Sequence, residues 1–295
     1  MRYKAKKISW ILLAAIILSL TVVGSFFDYQ IAQAVYLGQG AKENFFGVLF
    51  AFIGVIPTFV GWSFLGASIL TLMRKMGLSK GKRRGLTALA VLLFVLSFFY
   101  YCNTLFMVNG NAFSVHWAVA YSVGIAVIVG AAYLGYLLSK KSDSKELLNR
   151  IVFLTIVSLA IMLVIMLTKG IMDRPRYRFV MDNEQFFVNW WQKGSEIKKL
   201  AAAGVASDEF SSFPSGHSAY SMFAVFIFPA LAWYDKRLEK YEGALFFVGV
   251  LWWVLTAFSR MTVGAHYLTD VTIAGCVTLC VYAVSVWIKR RITKK

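Results

Sequence analysis

The chain has 295 residues, 59% of them hydrophobic and 16% aromatic, with a formal net charge of +17. An ordinary soluble domain is about 45–50% apolar, so this composition excludes one and indicates a chain that crosses the membrane repeatedly. The cationic excess would suit nucleic acid, but its distribution argues against that partner.

A spanning helix needs roughly 20 predominantly apolar residues. Eight stretches meet or approach that length, over residues 9–27, 46–73, 86–108, 115–138, 148–168, 214–234, 243–259 and 268–288. The expectation is an all-α, polytopic bundle of about eight transmembrane helices forming one domain over residues 1–295. The first stretch follows a basic N-terminus, as a signal peptide does. Its apolar core is longer than the usual signal core and no A-x-A site follows, so it reads as a retained helix. The second is long enough to tilt or kink and contains Pro57.

Most of the 31 basic residues fall in alternate polar segments. These are the N-terminus (Arg2, Lys4, Lys6, Lys7), the 74–84 and 140–150 loops, the 236–240 loop and the tail from Lys289 to Lys295. With eight spans, all of them share one side, and the positive-inside rule makes that side the cytoplasm. Both termini are then cytoplasmic, and the charge reflects topology and attraction to anionic lipid rather than nucleic acid. Cys102, Cys276 and Cys280 lie in apolar spans and imply no disulfide in the outer loops.

The remaining basic residues need another reason. Lys42 reads as a solvated loop residue. Lys193, Lys198 and Lys199 belong to a loop over 183–204 that reads as a short interfacial helix anchored by Trp190 and Trp191, with a lid as the alternative. Lys169, Arg174, Arg176 and Arg178 follow the fifth span in "TKGIMDRPRYRF", and Arg260 lies in "FSRMTVGAHYLTD" between the last two spans. With "FPSGH" at the start of the sixth, these three patches sit at outer-face helix ends. Two of the three histidines, His217 and His266, lie in them, whereas His116 reads as a plain interfacial residue.

Guanidinium and ammonium groups, a serine, two histidines and one carboxylate form a cationic set suited to phosphate: arginine grips phosphate oxygens with two N–H groups and lysine acts as a point charge. No second acidic cluster accompanies them, and three histidines are few for zinc. The expectation is a site without metal or cofactor. Pro214 begins a helix, Ser215 adds a hydroxyl, Gly216 lets a ligand approach the backbone, and His217 follows at the helix start, where N–H groups attract anions. His266 and Asp270 are four apart, hence on one helix face. A carboxylate bonded to one imidazole nitrogen makes the other a better nucleophile or base. A second histidine can then protonate the leaving oxygen.

Together the three patches resemble the type 2 phosphatidic acid phosphatase superfamily. Its pattern is Lys, six residues, Arg-Pro; then Pro-Ser-Gly-His; then Ser-Arg, five residues, His, three residues, Asp. The second motif is complete in Pro214 to His217, and the third in Ser259, Arg260, His266 and Asp270. The first is met by Lys169 and Arg176, with Tyr177 where the family usually has proline; Arg174-Pro175 comes two residues too early. Upstream, "FFDYQIAQAVY" is faintly similar to the family's first outer loop. The resemblance implies a six-helix core, with two of the first five helices extra.

It also implies roles. His266 is the nucleophile that forms a phosphohistidine, oriented by Asp270, and His217 is the general acid. Lys169, Arg176, Ser215, Gly216 through its N–H, and Arg260 hold the phosphate. Ser259 adjoins them, and Arg174 and Arg178 are candidates to assist a second phosphate. The expected function is a metal-independent phosphatase acting on a membrane lipid phosphate or pyrophosphate at the extracytoplasmic face. Candidate substrates are polyprenyl pyrophosphate, phosphatidylglycerophosphate and phosphatidic acid. The alternatives are a lipid phosphotransferase using the same histidine and a nonenzymatic lipid transporter, which would not need a carboxylate-oriented histidine. The vanadium haloperoxidases share the motif logic but are soluble. The sequence sets neither the lipid nor the oligomeric state.

Overall fold

The computed structural model describes residues 2–112, 116–200 and 205–293. Lys294 and Lys295 of the basic tail, the first residue expected of the fourth span and residues 201–204 of the expected interfacial segment lie outside the described residues. The regular secondary structure of the described residues is all helical, with no strand among them. The helices are α1 (Arg2–Val35), α2 (Phe45–Ile53), α3 (Ile56–Arg74), α4 (Lys80–Ala112), α5 (Trp117–Ser139), α6 (Lys145–Met172), α7 (Tyr177–Val180), α8 (Ser195–Leu200), α9 (Gly216–Met222), α10 (Ala224–Ala230), α11 (Glu242–Thr262) and α12 (Leu268–Thr293).

Seven helical stretches among the described residues, rather than eight, are long and apolar enough to cross a membrane. The difference lies in the span expected at 214–234. That stretch is broken into α9, α10 and a 3₁₀ turn over Leu231–Trp233. At Phe223 the carbonyl accepts from both Phe226 and Ile227 N–H at 3.0 Å, a tightened turn. Pro229 within α10 has no N–H to continue the ladder. The kink expected near Pro57 is present: the second span divides at Gly54 and Val55, and Pro57 sits in the first turn of α3, where a missing N–H costs nothing.

The chain forms two compact units. One comprises Ala51–Leu159 and Phe223–Trp253. Its centre is α3, buried over nearly its whole length. Small residues let the neighbours approach: a Cβ on Gly135 of α5 would lie 2.3 Å from the Phe64 carbonyl of α3. Buried hydroxyls and an indole are satisfied locally, Ser63 by the Val60 and Ile128 carbonyls and Trp62 by Ser158 at 2.9 Å.

The other unit comprises the residues up to Phe50, Ala160–Met222 and those from Val254 on. In it α1 packs along α12. Leu13, Ile17, Asp28 and Ala32 are buried on one face of α1, at intervals of four, eleven and four residues, whereas Ile11, Ile16, Val22 and Phe26 are exposed. Gly24 permits the contact, since a Cβ there would come 2.9 Å from the Thr269 side chain. Thr21 donates to Thr272 at 2.9 Å between the same helices. Helix α9 packs on α12 as well, through Ser218, whose hydroxyl donates to the Val271 carbonyl at 2.7 Å. Every residue of the three motifs belongs to this unit.

Candidate active site

Helix α11 ends in a turn that delivers His266 to the start of α12. Gly264 adopts φ +64, the left-handed conformation that favours glycine at a helix end, and its N–H bonds the Met261 carbonyl at 2.9 Å. A Cβ there would also press on Arg178 and Tyr36 at 2.9 Å. The Gly264 carbonyl accepts from Arg178 N–H at 3.0 Å, joining the first motif stretch to the third.

His266 is 3% exposed and lies between the last two spans. Its Nδ1 is 2.6 Å from the Ser212 carbonyl oxygen. A carbonyl can only accept, so Nδ1 carries the proton and Nε2 keeps its lone pair. Burial, with the charges of Lys169 and Arg176, pushes the imidazole from 6.5 down to about 4, against the pull of Asp270. The ring is therefore neutral at physiological pH.

Asp270 stands differently from expectation. Its nearest oxygen is 3.8 Å from His266 Nδ1, beyond hydrogen-bond reach. The carboxylate instead accepts from Arg174 Nη1 at 2.6 Å, from Tyr267 N–H at 2.8 Å and from the Ser212 hydroxyl. It thus holds the backbone just after His266 and the residue whose carbonyl fixes the ring. Its own carbonyl accepts Ser215 N–H at 3.0 Å, which fastens the second motif to the third.

Ser215 caps α9, its hydroxyl accepting Ser218 N–H at 3.3 Å. Gly216 opens the helix with its Cα toward Lys169: a Cβ there would sit 3.7 Å from Lys169 Cε. His217 follows, half-buried, at the second position of α9. Lys169, in the last turn of α6, donates to the Ser211 carbonyl.

Helix α6 stops because Asp173 turns left-handed (φ 45) and Pro175 follows. The turn is secured by Lys198, which pairs with Asp173 at 2.6 Å, and by Gly194 N–H on the Met172 carbonyl at 2.9 Å. Arg176 then donates from Nη2 to Asp208 at 2.8 Å, while its Nε is buried without a hydrogen-bond partner. Arg178 forks onto Glu209, with bonds of 2.6–3.1 Å. Both arginines act electrostatically on Arg260. Arg260 is buried in the last turn of α11, donating to the Gly47 carbonyl and, from Nε, to Ser259 at 3.1 Å.

Two further expectations are corrected. Arg174 does not face a second phosphate: it is 1% exposed, its guanidinium shared between Asp270 and Asp28 and stacked 4.2 Å over the Tyr267 ring. The 183–204 loop is not one interfacial helix. It holds a 3₁₀ turn at Glu184–Phe186 and the short α8. Trp191 is exposed, whereas Trp190 donates to Ser25 at 2.9 Å and stacks 6.0 Å from Phe213, against the motif stretch.

Sequence reasoning missed Asp28 and Ser212. Asp28 on α1 is 4% exposed and accepts from Arg174 Nη2 and from Thr269 N–H, both at 2.9 Å, and from the Thr269 hydroxyl. Its signal was a lone carboxylate ending an apolar run. Ser212 had none beyond adjacency to the second motif. The Lys169, Arg176, Ser215, Gly216, Arg260, His266 and Asp270 positions do converge in one unit. They present a neutral imidazole nitrogen among cations.

No curated protein and no solved structure matches the chain significantly. The model of the PAP2 superfamily matches residues 148–294, a stretch that contains all three motifs and excludes Asp28. Over that stretch the chain belongs to the PAP2 superfamily, the type 2 phosphatidic acid phosphatases.

Proposed function

We propose that the protein is a lipid phosphate phosphatase that works through a phosphohistidine at the extracytoplasmic face of a cell membrane. Phosphatase action on phosphate esters is the activity its superfamily implies, and the chain has the helices of a multi-pass membrane protein. The observation that carries the finer reading is the proton arrangement of His266. Its Nδ1–H is committed to a carbonyl at 2.6 Å, leaving Nε2 as a neutral nucleophile within the charge field of Lys169 and Arg176.

In this reading Lys169, Arg176 and Arg260, with Ser215 and the Gly216 N–H, hold the phosphoryl oxygens and stabilise the charge that develops on them. The unpartnered Arg176 Nε is a donor awaiting such an oxygen. His266 Nε2 attacks phosphorus, the bond to the leaving oxygen breaks, and His217 gives that oxygen a proton. Water, deprotonated by His217, then attacks phosphorus. The P–N bond breaks, phosphate leaves and the electron pair returns to Nε2. Nδ1 keeps its proton throughout, donating it to the Ser212 carbonyl. No metal takes part in these steps.

A site at helix ends lets the acyl or prenyl tails stay among lipids while the head group enters. The basic bias supports the outward orientation, which requires the broken run Gly216–Trp233 to cross the membrane too. Purified protein should release phosphate from lipid phosphates in EDTA. His266→Ala should abolish turnover and the acid-quenched phosphoenzyme, while His217→Ala still labels. Equal labelling of His266→Ala, or activity that chelation removes and a metal restores, would refute this reading.

A further inference from the structure

The carboxylate at the far end of the Arg174 chain comes from outside the matched stretch. Asp28, Arg174 and Asp270 are 4%, 1% and 0% exposed, and form two ion pairs of 2.9 and 2.6 Å through one guanidinium. Burying charge is costly unless it is paired and hydrogen-bonded. Here every member is: Asp28 also takes the Thr269 N–H and hydroxyl, and Arg174 also reaches Thr269 and the Val188 carbonyl, both at 3.0 Å. Thr269 directly precedes Asp270, so Asp28 grips the same first turn of α12 that Asp270 occupies.

The charges matter as much as the grip. With Asp270 as its only counter-ion, Arg174 would cancel most of that carboxylate's field. A second carboxylate on the other terminal nitrogen of the guanidinium takes up the positive charge and leaves the cluster net negative. The His266 ring, 3.8 Å from Asp270, feels that surplus. The other charges acting on His266 are Lys169 on α6 and Arg176 beyond it, both cationic, so Asp270 is the carboxylate opposing them.

We propose that Asp28 is a positioning residue for phosphoryl transfer: through Arg174 it holds Asp270 in place and keeps that carboxylate's charge directed at His266. The inference rests on His266 being the nucleophile. When Nε2 bonds to phosphorus and Nδ1 keeps its proton, the ring turns cationic, and the surplus negative charge stabilises it. Asp28 thus acts on the chemical step rather than on phosphate binding.

The test compares wild type with Asp28→Asn and Asp28→Asn/Arg174→Gln, each as the full chain in detergent with its folded yield checked by gel filtration. One readout is steady-state phosphate release from dioleoyl phosphatidic acid. The other is acylation of His266 by diethyl pyrocarbonate, followed by mass spectrometry with His116 as internal reference. Asp28→Asn should lower kcat about tenfold or more, as loss of an outer partner does elsewhere, with KM little changed. It should slow His266 acylation and leave His116 unaffected. The double variant removes the guanidinium that, without Asp28, cancels the field of Asp270, and should recover part of both losses, which a purely structural role would not do. Asp28→Asn matching wild type in both readouts, or a double variant slower than the single, would overturn the inference. Should Asp28→Asn not accumulate, Asp28→Glu keeps the charge and displaces it: lower kcat at unchanged KM supports the tie, and wild-type kcat overturns it. If wild type hydrolyses no phosphate ester, the proposed activity falls by itself, and the acylation rates alone decide the role of Asp28.

Discussion

His266 is fixed by the backbone of Ser212 rather than by the side chain of Asp270: Nδ1 lies 2.6 Å from the Ser212 carbonyl and 3.8 Å from the nearest carboxylate oxygen. Asp270 works one step removed, bonding the Ser212 hydroxyl and the Tyr267 N–H that flank the ring's two supports. Orientation and charge are thereby separated. A neutral carbonyl sets the tautomer, and the carboxylate supplies the field.

The first prediction concerns pH. His266 must be neutral to attack, and its pKa is lowered to about 4, so the acid limb of kcat/KM attributable to it should lie near pH 4 rather than 6.5. Asp270 raises that pKa, so Asp270→Asn should move the limb lower still while slowing turnover. The same depression has a stability consequence. As pH falls below 6.5 the unfolded chain takes up the proton first, so this group's contribution, intact above 6.5, is lost as pH falls toward 4. Rate–pH profiles and thermal melts in detergent check both, and an acid limb near 6.5 in wild type would contradict the assignment.

Ser212→Ala separates the two supports. It removes the hydroxyl from a fully buried carboxylate but leaves the carbonyl that holds Nδ1. Stability should fall by about 1–3 kcal/mol, the usual cost of leaving a buried polar group short of a partner. The phosphoenzyme should still form, more slowly. Chemical denaturation and acid-quench labelling report the two effects independently.

Arg176 is shared between Asp208 and the space its Nε faces. Asp208 is 58% exposed, so its pair with Arg176 is worth at most about 1 kcal/mol and competes weakly with phosphate. Asp208→Asn should therefore lower KM by up to about fivefold with folding unaffected. Arg176→Lys keeps the charge but loses the planar fork, and should cost about 100-fold in kcat/KM. Steady-state kinetics distinguish them, because the two substitutions move substrate affinity in opposite directions.

Orientation is testable by labelling. In a background lacking Cys102, Cys276 and Cys280, a cysteine at exposed Gln185 should react with an impermeant maleimide on intact cells, and one at exposed Lys82 only after lysis. The reverse pattern would invert the topology.

The motif residues were legible because their spacing is fixed by local geometry: His266 and Asp270 one helical turn apart, Pro214 to His217 at a helix start, Lys169 and Arg176 across a helix end. The break at Gly54 and Val55 was legible in Pro57. Length and hydropathy found the crossings but not the interruption at Phe223, which depends on backbone bonding rather than composition. Arg174 looked like a near miss of the motif, since nothing along the chain shows that it meets carboxylates 146 and 96 residues away. Asp28 was hidden for the same reason. A single acid beyond an apolar run does not name its partners, and its contacts come from the packing that Gly24 allows between α1 and α12.

That packing also sets an order of assembly. Helix α1 is made before α12, and Asp28 reaches Thr269 across 241 residues of chain. During synthesis Arg174 can meet Asp28 as soon as the middle of the protein is inserted, well before either Asp270 or His266 leaves the ribosome. His266 and Asp270 arrive together, at the turn between α11 and α12, after Asp28 and Arg174. The proposed site is therefore incomplete in a nascent chain until α12 docks against α1.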